Sequence, residues 1–155
     1  MRIPRRRYIK EKSVKSDNSH QKLMEQSIEA MWQSIGETRE DGKACPKVGA
    51  VILKKNGIVQ QSYRGELRQG DHAEFTLLER KNRNQKLDGS TLFVTLEPCA
   101  PGARNKPKLS CAERIVNARI KKVYVGIEDK DPTVARKGIQ FLEKHGVEVE
   151  MFPRS

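Results

Sequence analysis

His72-Ala73-Glu74, Pro98-Cys99 and Cys111 form a set suited to binding a metal ion and activating water. One imidazole and two thiolates supply three zinc ligands and leave the open fourth position that a catalytic site keeps. Glu74 follows His72 by two residues and is not needed as a ligand. A carboxylate beside a water made acidic by a metal is what hydrolytic removal of a ring amine requires. Glu74 would take the water proton, pass it to a ring nitrogen and then to the leaving ammonia. Each fragment alone is a weak signal. Their order is a strong one: His-x-Glu at a helix start, a strand, Pro-Cys at its end, and Cys at the next helix start. The bland alternative is a degenerate site with structural zinc and no chemistry; Glu74 argues against it.

The elements that must position these residues follow from periodicity and turn chemistry. Met24, Ile28, Met31 and Ile35 recur at helical spacing after Asp17, Asn18 and Ser19, predicting a first helix that stops near Gly36. Val48–Leu53 reads as a buried strand, Lys54-Lys55-Asn56-Gly57 as a type I′ hairpin turn, and Ile58–Tyr63 as the returning strand. A helix is expected from His72 to about Lys81, a strand over Thr91–Leu96, and a helix over Cys111–Ala118. A strand over Lys122–Gly126, a helix over Thr133–His145 and a last strand over Val147–Phe152 complete the chain. The order α-β-β-α-β-α-β-α-β predicts an α/β fold with a mixed five-stranded sheet and helices on both faces. His72 and Cys111 then open two helices, and Cys99 lies just past the carboxyl end of a strand, where such sheets gather ligands. The helix N-termini favour thiolate over thiol.

Composition bounds the rest. The 155 residues fit one domain, with 35% apolar and 33% charged residues. Residues 1–15 hold seven cations against one acid, so removing them lowers the net charge from +11 to +5. We read residues 1–18 as a flexible basic arm, a solubilising tail or a contact for nucleic acid or another polyanion. The deaminating domain would occupy residues 19–155. No run of 18 apolar residues exists and no apolar stretch follows the basic start, so neither a membrane span nor a secretory signal is expected. Three cysteines, two of them assigned to metal, fit a reducing, cytoplasmic setting.

Six segments carry a resemblance: Val48-Gly49-Ala50-Val51, His72-Ala73-Glu74, Thr95-Leu96-Glu97-Pro98-Cys99, Cys111-Ala112-Glu113, Ile120-Lys121-Lys122-Val123 and Asp129-Lys130-Asp131-Pro132-Thr133-Val134-Ala135. On these, residues 22–152 resemble the cytidine deaminase superfamily, and within it the deaminase domain of the riboflavin-biosynthesis pyrimidine deaminase/reductase. No counterpart of the reductase is expected within these 155 residues. The resemblance implies a three-layer α/β/α fold, usually oligomeric, with zinc on His72, Cys99 and Cys111 and with Glu74 catalytic. It implies that Ala73 and Leu96 neighbour the substrate ring. It also implies that Cys45, Asp129 and Asp131 occupy substrate-reading positions.

The departures fall at those reading positions. Cys45 stands where the family has a hydroxyl-binding Asn, and a thiol is a poor hydrogen-bond partner. The family's Asp-Pro-Asn-Pro is here Asp129-Lys130-Asp131-Pro132, and Ala100-Pro101 replaces Ser-His. The 11 residues between Cys99 and Cys111 hold Arg104, Lys106 and Lys108, either a grip for a substrate phosphate or a solvated loop face. Three readings stand. The first is a zinc hydrolase acting on an aminopyrimidine-like base or nucleotide. The second deaminates a base in nucleic acid, which the basic arm supports and the 5% aromatic content opposes. The third is a non-catalytic, zinc-stabilised binding module.

Overall fold

The computed structural model describes residues 20–36, 42, 45–102 and 109–153. The element order is the expected one. Helix α1 covers residues 20–31 of the described chain. Strands β1 (Gly49–Leu53) and β2 (Val59–Tyr63) form the hairpin, and α2 begins at Ala73. Then come β3 (Thr91–Leu96), α3 (Cys111–Asn117), β4 (Lys122–Ile127), α4 (Lys137–Lys144) and β5 (Glu148–Met151). The five strands lie in the order β2-β1-β3-β4-β5. β1 is antiparallel to both β2 and β3, whereas β3, β4 and β5 run parallel.

Strand alternation sorts the core into two clusters. Ala50, Ile52, Leu92, Val94, Val123 and Val125 face α2, α3 and α4, which contribute Leu77, Ile115 and Leu142. Val51, Phe93 and Tyr124 point the other way and pack under Leu23 and Met24 of α1. Phe93 and Tyr124 stack there with ring centroids 4.9 Å apart. Close approach of α1 requires glycine at the start of β1. A Cβ on Gly49 would lie 2.0 Å from the Ser27 carbonyl oxygen. Among the described residues, helices therefore cover both faces, three on one and one on the other.

Two helix boundaries and one turn differ from expectation. The first helix ends at 31 because the chain beyond it is drawn to the sheet. Ile35 N–H donates to Arg64 O (2.9 Å), and the Ser34 hydroxyl bridges the Val48 carbonyl and N–H (3.0 Å each). In the hairpin, Gly57 alone has positive φ (91°), and its N–H closes a turn onto Lys54 O (2.8 Å). Asn56 spends its side chain accepting from Ile58 N–H (3.1 Å), so the turn is a bulged one and not type I′. The last helix starts at Lys137, not Thr133, because Asp131 accepts from the Thr133 N–H and hydroxyl (2.9 and 2.7 Å) and Arg136 is left-handed (φ 65°).

The site lies at one end of the sheet. The carboxyl ends of β2, β3 and β4 meet there with the start of β1, and α2 and α3 begin there. Gly49 N–H donates to Thr95 Oγ1 (3.0 Å) and Arg64 N–H to Val48 O (3.0 Å), which closes this end of the sheet.

Candidate metal and catalytic site

His72 occupies the N-cap position of α2 with extended backbone (φ −65°, ψ 152°). It makes no capping bond through its side chain, so the imidazole is available to other partners across the site. After one α-turn the helix widens into a π-helical turn over Thr76–Arg80, a feature that gathers near functional sites. Arg80 Nε reaches back to Asp71 Oδ2 (2.5 Å) and pins the residue before His72. Cys111 is the first residue of α3. Ser110 precedes it as N-cap, accepting from Glu113 N–H (3.1 Å), while Glu113 Oε1 accepts from Ser110 N–H (3.2 Å). This reciprocal cap is worth about 1 kcal/mol and fixes where the helix begins. The two helices are fastened together by Arg114, whose guanidinium lies 4.5 Å over the Phe75 ring and 3.0 Å from Glu79 Oε1.

Three donor atoms converge as a result. His72 Nδ1 is 3.4 Å from Cys111 Sγ and 4.0 Å from Cys99 Sγ, and all three lie within 4.8 Å of one another. An imidazole nitrogen and a thiolate sharing one tetrahedral zinc would stand about 3.5 Å apart at the usual bond lengths. The donor set therefore fits zinc in both chemistry and spacing. Cys99 is held twice by the start of α3: Cys111 N–H donates to Cys99 Sγ (3.2 Å), and Ala112 N–H donates to Cys99 O (3.1 Å). The Cys99 thiol is pulled down to about 4, chiefly by its hydrogen bond with the Cys111 side chain, against the opposing effect of burial.

Glu74 is 4% exposed, in the first turn of α2. Burial pushes its carboxyl up from the usual range, and the charge of His72 opposes that rise. A cleft of about 110 Å³ opens beside it, with His72, Glu74 and Cys99 along one part of its wall. Pro46, Val48, Arg64, Leu96, Glu97 and Asp129 line the remainder.

The expected substrate residues divide. Asp129 and Leu96 are at the cleft. Ala73 is fully buried, and Cys45 is half-buried next to Pro46; neither is among the lining residues. Asp131 is exposed and turned toward Thr133. Arg104 and Lys106, like Lys108 and the basic arm, fall outside the described residues. Two site residues escape the sequence reading. Arg64 gives no local signal, since a cation after a strand reads as surface, yet it is 9% exposed and lines the cleft. Glu97 is 6% exposed and enters the sequence reading only inside a motif. The Ser110–Glu113 cap also escapes it, although Ser-x-x-Glu is the local signal for one.

Comparison with known proteins agrees with this geometry. The family model described as "Cytidine and deoxycytidylate deaminase zinc-binding region" matches residues 17–127. The riboflavin biosynthesis protein RibD of Bacillus amyloliquefaciens is 38% identical over 128 residues, 82% of this chain and 32% of that protein. A solved RibD structure from Acinetobacter baumannii superposes with a TM-score of 0.68 at 34% identity, covering 84% of this chain and 34% of the other. The dCMP deaminase of cyanophage S-TIM5 superposes at 0.59 with 28% identity, covering 85% and 95%. The chain thus spans about a third of the length of the curated relatives it matches. With a mixed five-stranded sheet, three clustered metal-type donors and these likenesses, the chain belongs to the cytidine and deoxycytidylate deaminase family, on its RibD-like side.

Proposed function

We propose that this chain is a zinc-dependent hydrolytic deaminase that removes an exocyclic amine from a pyrimidine-like base or nucleotide. The observation that carries the reading is a buried carboxylate, Glu74, lining an open cleft together with His72 and Cys99 of the three-donor cluster. His72, Cys99 and Cys111 would hold the ion. When bound, zinc supplies the Lewis acidity that makes water a nucleophile near neutral pH. Glu74 takes a proton from the attacking water at a carboxylate oxygen. It gives the proton to the ring nitrogen beside the attacked carbon, then assists departure of ammonia. Its raised affinity for a proton suits a group that must both accept and donate. Arg64 and Asp129 offer a donor fork and an acceptor to the ring and its substituents.

A relative named for riboflavin biosynthesis and another named for dCMP deamination both support an aminopyrimidine nucleotide as substrate. The test is ammonia release from a panel of aminopyrimidine nucleotides by zinc-loaded protein, lost in Glu74→Gln with zinc retained. Full zinc occupancy without turnover across the panel would overturn the reading. A base within nucleic acid is the second reading, favoured by the seven cations of residues 1–15. Under it, oligonucleotide binding falls steeply with salt, and deleting those residues removes most of that slope.

A further inference from the structure

Glu97 directly follows β3 and opens the short run to Cys99. Its N–H continues the sheet by donating to Ile127 O (2.9 Å). Its buried carboxylate accepts four backbone N–H groups, two on each oxygen. Oε1 takes Asp129 N–H (3.0 Å) and Arg136 N–H (2.9 Å). Oε2 takes Gly138 N–H (2.9 Å) and Ile139 N–H (3.2 Å). The last two are orphan amides in the first turn of α4, whose N-cap, Arg136, makes no side-chain cap. Glu97 therefore caps α4 from across a loop, where a negative charge also meets the positive end of the helix. The approach is close enough to require glycine. A Cβ on Gly138 would stand 1.8 Å from the Pro98 carbonyl oxygen.

One carboxylate thus joins three parts of the site. Cys99 lies two residues after it, Asp129 at the cleft hangs on one of its oxygens, and α4 on the other. We propose that Glu97 is a positioning residue for substrate recognition: it sets Asp129 at a fixed distance from the Cys99 corner. Glu97 itself borders the cleft, but both its carboxylate oxygens are committed to backbone donors, so it acts through Asp129. This rests on the deaminase reading above and adds to it a residue that governs affinity more than turnover.

The test compares wild type, Glu97→Gln, Asp129→Asn and the double variant, all full-length and zinc-loaded. An amide at 97 can accept on one atom only, so two of the four backbone donors lose their acceptor. Glu97→Gln is expected to speed hydrogen exchange at two or more of the Asp129, Arg136, Gly138 and Ile139 amides, with one zinc per chain retained. With the aminopyrimidine nucleotide that wild type deaminates, KM should rise about 10- to 100-fold, the scale of a lost charge-assisted hydrogen bond, while kcat changes little. The double variant should match the worse single, because both act through Asp129. Unchanged exchange at all four amides, loss of zinc, a fall in kcat with KM unmoved, or multiplying effects would each overturn the proposal. Absence of any wild-type turnover would overturn the deaminase reading, and the exchange data would still decide whether the clamp exists. Where Glu97→Gln does not fold, Glu97→Asp keeps the charge, gives up reach, and answers to the same readouts.

Discussion

The metal corner and the substrate rim are built in different ways. His72 and Cys111 stand at helix starts fixed by local devices: the Ser110–Glu113 box, the Arg80–Asp71 pair and the Phe75–Arg114–Glu79 contact. Cys99 is tied to the same helix start by two backbone donors. The rim consists of turns. Asp129 and Asp131 lie between β4 and α4, where the backbone is held mostly by side-chain oxygens of Glu97, Asp129 and Asp131. Under the proposed function, regular structure would fix the chemistry and irregular structure would read the substrate. A site made this way can keep its reaction while its substrate changes.

Breaking the corner should have the largest effect. Cys111→Ala removes a ligand from a fully buried position, so zinc should fall below one per chain and ammonia release to background. Melting temperature should also drop, because metal binding energy is folding energy. Metal analysis and calorimetry check both. Glu74→Gln keeps all three donors and removes only the base, and should cost about 10²- to 10⁴-fold in kcat with zinc content unchanged. Comparable loss of zinc would make Glu74 a structural residue.

A third experiment sharpens the corner against the rest of the molecule in metal-stripped protein. The Cys99 thiol, held near 4, is thiolate throughout the neutral range and loses that character only as pH falls through about 4. An ordinary cysteine ionises near 8.5, so at pH 6 Cys99 should alkylate with iodoacetamide about tenfold or more faster than a Cys titrating normally. Peptide mapping reads this, and zinc should protect Cys99. The smallest effect belongs to the outer rim. Asp131→Ala gives up exposed contacts to Thr133 and should cost about 1 kcal/mol of stability, leaving KM within about twofold. A large rise in KM would place Asp131 at the substrate.

What was legible in the sequence follows the same division. The element order and the meeting of His72, Cys99 and Cys111 came through because strand runs and helix starts leave local signals. Glu97 did not, since its four partners lie 32 to 42 residues away and a Glu after a strand looks solvated. The late start of α4 was hidden for a related reason: Asp131 stops the helical path locally, and Glu97 caps the helix from a distance. Arg64 was missed because nothing in its neighbours tells a cleft cation from a surface one. The π-helical turn over Thr76–Arg80 has the residue pattern of an ordinary helix.

The central claim is that one imidazole and two of the three cysteines hold zinc and leave a position open. X-ray absorption at the zinc edge of loaded protein tests it most directly. Two sulfurs at about 2.3 Å and two lighter atoms at about 2.0–2.1 Å, one of them solvent, are expected. A third sulfur, with Cys45 closing the coordination sphere, or protein that takes up no zinc, would contradict it.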